Sequence, residues 1–188
     1  WYNAYSFLQT YAEIDHWSPD KGLHQGDNVL DLWIVSRLQT LKANVAKQME
    51  AYKLYNVVPQ LFEFIEDLTN GYIRLNRNRF WGEEITADKI AAYSTLYKAL
   101  FELCQAMAPF APFLSEHLYL ELSELGGREA KPGSVHLCDY PEAETALIDG
   151  ELETAVDRMQ QVVLLGRQKR EEVKIGLRTP LHCLTVVH

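Results

Sequence analysis

Cysteine is scarce in this sequence, and the few cysteines lie far apart. Only Cys104, Cys138 and Cys183 are present among the 188 residues, and no two of them form a Cys-x-x-Cys pair. Zinc sites and disulfide frameworks need cysteines that are more numerous or closer together. We therefore expect no metal site and no disulfide, and we interpret each cysteine as a small buried residue of a cytosolic protein.

Long hydrophobic runs and a leader sequence are also missing. No apolar stretch approaches the roughly 18 residues that a membrane-spanning helix needs. The chain opens on Trp1, without a methionine or a basic leader, so no secretory signal is visible. We therefore expect a segment of a longer cytoplasmic protein that has no membrane partner.

Motifs for catalysis are absent as well. The sequence has no Gly-rich phosphate loop, no histidine cluster at metal-ligand spacing and no nucleophile elbow, so we assign no catalytic residue. The formal net charge of -8 argues against a general nucleic-acid binder, because phosphate binding favours a positive surface. A net charge does not exclude local basic patches, and the sequence contains two of them.

What the sequence does contain is helical periodicity. Apolar residues recur every three or four positions along most of the chain, which predicts long amphipathic helices joined by short loops, an all-α bundle. Pro109 and Pro112 are expected to bend the chain, and Gly126-Gly127 to end the short helix that follows. The predicted helices cover approximately residues 1–14, 30–52, 56–81, 86–107, 114–125 and 151–175.

Between and after these helices the pattern changes. A polar linker follows the first helix, residues 128–150 resemble a loop with an extended piece at 134–137, and residues 181–187 alternate like a strand. We interpret this short β-like tail as the first strand of a truncated region. The predicted divisions are residues 1–26 (helix and linker), 27–145 (helical bundle) and 146–188 (long helix and first strand).

The apolar stripes also predict the core. The helix that starts near Asn56 has its stripe at Val58, Leu61, Phe62, Ile65, Leu68, Tyr72 and Leu75. The large side chains that we expect to be buried are Trp33, Leu61, Phe62, Tyr72 and Phe113.

The first basic patch ends the helix predicted over residues 56–81. On a helical wheel Arg74 and Arg77 lie away from the stripe, whereas Arg79 lies nearer to it and is expected to snorkel at the helix end. One interpretation is that these arginines complement the negative end of the helix dipole. The other is a phosphate-contacting ridge with aromatic residues beside it. Spacing alone slightly favours the first interpretation.

The second basic patch lies at the end of the last predicted helix. Its members are Arg167, Lys169, Arg170, Lys174 and Arg178. The acids Glu171 and Glu172 are interleaved with them, so pairs three or four residues apart offset part of the charge. Taken alone, this patch also favours an ordinary solvated surface.

Several blocks of sequence nevertheless resemble the class I aminoacyl-tRNA synthetases for isoleucine, valine and leucine, and they occur in the family's order. They are D-L-W-I-V-S-R-L at 31–38, Y-I-R-L-N-R-N-R-F-W at 72–81, M-A-P-F-A-P-F-L-S-E at 107–116, S-V-H-L at 134–137 and Y-P at 140–141. The opening W-Y-N-A-Y-S-F-L and the segment I-G-L-R-T-P-L at 175–181 are also similar to isoleucine enzymes. The arginine run is typical of the isoleucine enzymes and is commonly missing from the valine enzymes. Gly71 departs from the pattern, since relatives usually have a bulky residue there, and a glycine inside a helix costs roughly 1 kcal/mol against alanine.

The resemblance implies the anticodon-binding helical bundle of a class I synthetase, with tRNA as partner and no DNA. It also implies a catalytic domain in the same polypeptide, which would use ATP and Mg. The HIGH-like and KMSKS-like motifs of that domain are absent from this sequence, so we expect no cofactor here. By this resemblance the tRNA-binding candidates are Arg74 and Arg77, followed by Lys42, Lys47, Lys169 and Arg170. Two alternatives remain at this point, namely the same domain of a valyl or leucyl enzyme and a helical protein-interaction module.

Overall fold

A computed structural model describes residues 1–126, 132–183, 185 and 186 of the chain. These residues form α-helices, one π-helical segment and short 3₁₀ turns, and they contain no β-strand, which confirms the all-α prediction. The α-helices of the described residues are α1 (Tyr2–Ile14), α2 (Val29–Glu50), α3 (Leu54–Glu66), α4 (Arg74–Trp81), α5 (Ala87–Met107), α6 (Pro112–Leu125) and α7 (Gly150–Glu172).

The chain divides into two compact units, Trp1–Ile148 and Asp149–His188. The first unit contains α1 to α6, with α2 packed against α3 and α5, and α5 packed against α1, α4 and α6. The second unit contains α7 and the residues that follow it. The division of the sequence at residues 26 and 145 stays a prediction.

Helix boundaries in the first unit follow local capping chemistry. The Asn28 side chain accepts a hydrogen bond from the Leu30 amide at 2.9 Å and so caps the start of α2. Thr86 caps α5 in the same way, accepting from the Lys89 amide at 3.1 Å. Pro112 occupies the first turn of α6, where its missing N–H costs nothing, and α6 ends just before Gly126.

The core of the first unit lies between α2, α3 and α5. Trp33, Leu61 and Tyr72 are buried as predicted. The largest apolar side chains around them are Ile34, Leu38, Phe64, Leu68, Tyr93, Leu96 and Leu100. Burying each such side chain stabilises the fold by roughly 1.5–3 kcal/mol relative to leaving it exposed.

Two of the predicted core residues are not in the core. Phe62 is 60% exposed because α3 buries the face that carries Val57, Leu61 and Phe64, and Phe62 lies outside that face. Phe113 is 91% exposed, in the first turn of α6 directly after Pro112. Hydrophobicity marked both side chains as core candidates, but the direction from which neighbouring helices approach decides burial.

The helix predicted over residues 56–81 has an interruption in its regular geometry. Its helical backbone starts at Leu54, and the segment Asp67–Ile73 is π-helical, joining α3 to α4. Gly71 lies buried inside this segment. A π-helix winds more loosely than an α-helix, so the wheel drawn from α3 no longer applies after it, and Leu75 is exposed instead of buried.

Later parts of the chain also differ from the sequence prediction. Val135–Leu137 is a 3₁₀ turn and not an extended piece. Helix α7 ends at Glu172, earlier than predicted, and Lys174 has a φ of 55°, which is incompatible with a continuing helix. The described residues of 181–187 form no strand, while residues 184 and 187 of this predicted strand lie outside the described residues, as does Gly127.

The polar linker between α1 and α2 packs along α5. The His24 amide donates to Ser94 Oγ at 3.0 Å. At Gly26 the backbone comes so close to α2 and α5 that an added Cβ would lie 2.8 Å from Asp31 Oδ2 and 2.9 Å from Ala91 Cβ. Glycine is therefore required for this approach, and the linker covers the carboxylate of Asp31.

Candidate nucleic-acid interface

The three arginines of α4 are sorted by their position around the helix. Successive residues are about 100° apart, which places Arg74 and Arg77 on one side and Arg79 on another. The structure confirms this prediction, since Arg74 and Arg77 are exposed and Arg79 is mostly covered. The side that carries Arg74 and Arg77 faces solvent in the first unit.

Arg79 joins the ends of three helices. Its Nη1 and Nη2 donate to the two carboxylate oxygens of Asp31 at 2.7 and 2.8 Å, and its Nε and Nη2 donate to those of Asp88 at 2.8 and 2.7 Å. Asp31 lies in the first turn of α2 and Asp88 in the first turn of α5. Acids at helix N-termini and a cation at a helix C-terminus both complement the helix dipoles. The ion pairs of Arg79 with Asp31 and Asp88 therefore stabilise the fold.

The Asp31 carboxylate is buried but fully supplied with donors. Only 2% of this residue is exposed. Besides Arg79, the Tyr72 hydroxyl donates to Asp31 Oδ1 at 2.6 Å. Burial, followed by the charge of Asp31, raises the pKa of Tyr72 well above its usual value, so the phenol keeps the proton that it donates. Burial alone would lower the pKa of Arg79, but its hydrogen bonds to Asp31 and Asp88 raise it instead.

Arg74 and Arg77 have a different environment. Within the described residues neither guanidinium forms an ion pair or a side-chain hydrogen bond, and both are exposed. Each presents five N–H donors in a planar arrangement that matches phosphate oxygens. On a chain of net charge -8 this pair forms a local basic surface on α4.

The structure corrects the placement of Lys42, which the sequence had put among the candidates for tRNA contact. Lys42 is 3% exposed, and its Nζ donates to Glu102 Oε2 at 2.7 Å. Both α3 and α5 pack against α2, so a residue outside the apolar stripe of α2 is still covered. Lys42 is an interior link between α2 and α5 and does not reach the surface.

Lys47 is exposed, but it lies away from the α4 surface. It is in the last turn of α2, whereas Asp31, the partner of Arg79, is in the first turn of the same helix. The sixteen helical steps from Asp31 to Lys47 span roughly 24 Å at 1.5 Å per residue. The structure therefore does not bring Lys47 together with Arg74 and Arg77.

Lys169 and Arg170 belong to the second compact unit. The Lys169 ammonium donates to Glu172 at 2.8 Å in an exposed pair, and this pairing raises the pKa of Lys169. The Arg170 Nη1 donates to the carbonyls of Gly176 and Thr179, both at 2.9 Å. Arg170 thus holds the turn after α7, whereas the pairing with an interleaved acid that was predicted for this patch is found at Lys169.

A metal site and a membrane-spanning helix are both absent from the described part of the chain. It contains no group of three or more His, Cys, Asp or Glu side chains placed to hold a metal ion. No helix among the described residues has both the length and the apolar character that crossing a bilayer requires.

A comparison with known protein families decides what this bundle is. The family model described as the anticodon-binding domain of tRNA ligase matches residues 31–186. This chain belongs to that family.

Three relatives of this anticodon-binding domain are named as isoleucine–tRNA ligases. The protein of Bdellovibrio bacteriovorus is 45% identical over the whole of this chain, and the cytoplasmic enzyme of Saccharomyces cerevisiae is 42% identical, also over the whole chain. The enzyme of Clostridium acetobutylicum is 41% identical over 98% of the chain. The chain spans only 18–19% of the length of these relatives.

The sequence placed aromatic residues beside the arginine ridge but gave Trp81 no individual role on the surface of this anticodon-binding domain. In the structure the Trp81 side chain is 53% exposed, one helical turn after Arg77 on the surface of α4. The helical spacing of four residues between Arg77 and Trp81 was visible in the sequence and is the signal that finds it.

Proposed function

We propose that this chain is the tRNA-binding, anticodon-recognition domain of an isoleucine–tRNA ligase. The observation that carries the proposal is that relatives named as isoleucine–tRNA ligases match 98–100% of the chain at 41–45% identity. The role is positioning, because the domain would hold the anticodon side of the tRNA while the acceptor end reaches a distant catalytic domain.

The proposed contact surface is the exposed side of α4. Arg74 and Arg77 would contact backbone phosphates, since both guanidinium groups are exposed and uncommitted to carboxylates among the described residues. Lys47, Lys169 and Arg170 stay weaker candidates. Arg170 is partly engaged with backbone carbonyls and Lys169 with Glu172.

The chemistry of aminoacylation would reside elsewhere in the full-length enzyme. We propose that a catalytic domain of the same polypeptide uses ATP and Mg to activate isoleucine and that the enzyme works in the cytoplasm. In this division residues 27–145 are the anticodon-binding bundle, residues 1–26 lead into it, and residues 146–188 lead out of it. None of the family's ATP-handling motifs occurs in this sequence.

The binding proposal is tested by removing both exposed arginines. The double variant Arg74→Ala/Arg77→Ala should weaken binding of isoleucine-accepting tRNA and should flatten its dependence on salt. Each lost phosphate contact removes roughly 0.7–0.9 from the slope of log K against log salt concentration, so two contacts should remove about 1.4–1.8. Filter binding between low and physiological salt measures both quantities.

A control variant separates a local contact from the general effect of charge. The double variant Lys53→Ala/Arg158→Ala also removes two positive charges, but from exposed positions outside α4. It should leave the slope of log K against log salt concentration nearly unchanged. Equal slopes for the wild type and the Arg74/Arg77 double variant would show that these arginines are ordinary solvated residues. Valine- and leucine-accepting tRNAs as competitors test the isoleucine assignment, and a complete lack of salt-dependent tRNA binding would favour a protein-interaction module.

The absence of catalytic motifs gives a second expectation. The purified chain should show no isoleucine-dependent exchange of pyrophosphate into ATP, because it lacks the phosphate-binding motifs that the reaction requires. The assay is radiolabelled exchange, with a full-length isoleucine–tRNA ligase as the positive control. Robust exchange by this chain alone would show that part of the active site lies within it.

A further inference from the structure

Trp81 is an exposed aromatic side chain that follows Arg74 and Arg77 on the same face of α4. It is the last residue of α4, and 53% of it is exposed. At about 100° per residue, Trp81 lies roughly 20° around the helix axis from Arg74 and roughly 40° from Arg77. Within the described residues its ring makes no contact with another aromatic ring. The indole and the two guanidinium groups therefore share one exposed face.

The backbone beneath Trp81 is held on both sides. Arg79 is fixed by the carboxylates of Asp31 and Asp88. The ring of the buried Phe80 packs edge-on against Phe7 and Tyr93, with both centroid distances at 5.1 Å.

The residue after Trp81 is anchored as well. The Nζ of the buried Lys89 donates to the carbonyl of Gly82 at 2.6 Å and also pairs with Asp15. The last turn of α4 thus places a large apolar ring in solvent on a rigid support. Such an arrangement lowers the entropy lost when a ligand contacts the ring.

We propose that Trp81 is a stacking platform for an unpaired base of the bound RNA, while Arg77 and Arg74, one and two turns earlier on the same face of α4, contact successive phosphates on one side of that base. This inference rests on the proposed function, since it assumes that the α4 face meets tRNA. Aromatic rings stack on splayed bases of single-stranded loops, and adjacent cationic groups neutralise the backbone. The acids Glu83 and Glu84 follow Gly82, after the helix has ended, and so do not share the α4 face.

Charge favours RNA over a protein segment as the occupant of this face. Two guanidinium groups without carboxylate partners among the described residues share the face of the ring, although the chain as a whole has a net charge of -8. A polyanion that also presents flat aromatic groups satisfies both features at once, and unpaired RNA is such a ligand.

The first experiment is a titration of isoleucine-accepting tRNA with four proteins, namely the wild type, Trp81→Ala, Trp81→Phe and the control Phe113→Ala. Stacking on one base corresponds to an affinity loss of about 5- to 150-fold for the alanine variant. The slope against salt should stay at the wild-type value, because no charge is removed, and Trp81→Phe should retain most of the affinity. Phe113 is also exposed, at 91%, but it lies in the first turn of α6, so its removal should have little effect.

The second experiment distinguishes an unpaired base from a duplex. A hairpin RNA with the anticodon loop should bind Trp81→Ala more weakly than the wild type, whereas a blunt duplex of the same stem should bind both proteins equally. Base stacking should also change the tryptophan fluorescence of the wild type on RNA binding, and Trp81→Phe should lose that change. If Trp81→Ala fails to fold, Trp81→Leu takes its place, since leucine keeps an apolar cover without a flat ring.

The outcomes separate this inference from the function on which it rests. If the wild type binds tRNA normally and Trp81→Ala or Trp81→Leu binds it with unchanged affinity, the stacking role alone is overturned. The exposed Trp81 ring would then be assigned to a contact with another protein. An equal loss in Phe113→Ala overturns it too, because the effect is then not specific to α4. If the wild type does not bind tRNA at all, both the stacking role and the proposed function fail.

Discussion

Arg79→Ala is expected to lower the free energy of unfolding by about 3–5 kcal/mol, because it removes the main partner of a buried carboxylate. Asp31 is 2% exposed and receives two hydrogen bonds from Arg79. Without the guanidinium, the Tyr72 hydroxyl is the one side-chain donor to it that remains among the described residues. The links between the ends of α2, α4 and α5 would be lost with the same substitution. Urea denaturation followed by circular dichroism measures the change.

Arg77→Ala is the matched control for this prediction. It removes the same side chain two residues earlier on α4, from an exposed position without a carboxylate partner among the described residues. Exposed substitutions of this kind usually change stability by less than about 0.5 kcal/mol. If Arg79→Ala proves as harmless as Arg77→Ala, the Asp31 carboxylate must be hydrated in solution, and the three-helix junction contributes little to stability.

Leu68→Ala is expected to cost about 2–5 kcal/mol, from lost apolar burial together with the cavity that the truncation leaves. Leu68 is fully buried in the π-helical segment, where the backbone is tied into a regular helix on both sides and cannot easily collapse into a void. Leu61→Ala should have a loss in the same range, because Leu61 is buried on the same face. The measurement is again the free energy of unfolding in urea.

Phe62→Ala tests whether burial or hydrophobicity determines that cost. Phenylalanine is the larger side chain, but Phe62 is 60% exposed and should lose much less stability than Leu61 or Leu68. A loss for Phe62→Ala that matches the loss for Leu61→Ala would mean that the predicted stripe was right in solution and that α3 packs with a different face inward.

The candidate site could be predicted in part, and the reasons for success and failure are physical. The separation of Arg74 and Arg77 from Arg79 follows from helical geometry over five residues, a distance at which local periodicity holds. Lys42 could not be placed in the same way, since its partner Glu102 lies on α5, sixty residues later. Only the packing of α5 against α2 brings these two side chains together.

The interpretation of the arginines changed in the same manner. Sequence spacing left helix-dipole complementarity and phosphate binding as alternatives for all three. The structure assigns Arg79 to the helix ends through Asp31 and Asp88, whereas it leaves Arg74 and Arg77 exposed. Neither acid is identifiable as a partner from sequence spacing, because Asp31 is forty-eight residues and Asp88 nine residues from Arg79. Both distances lie outside the spacing of three or four residues that pairs side chains on one helix.

The sequence by itself determined the all-α class, the approximate helix positions and the resemblance to the synthetases, because periodicity, caps and motifs are local properties of a chain. The tertiary structure alone decided which faces are covered. It buried Lys42, exposed Phe62 and Phe113, and loosened the helix at Asp67–Ile73. Burial depends on which helices approach and from which side, and contacts between residues far apart in sequence determine that approach.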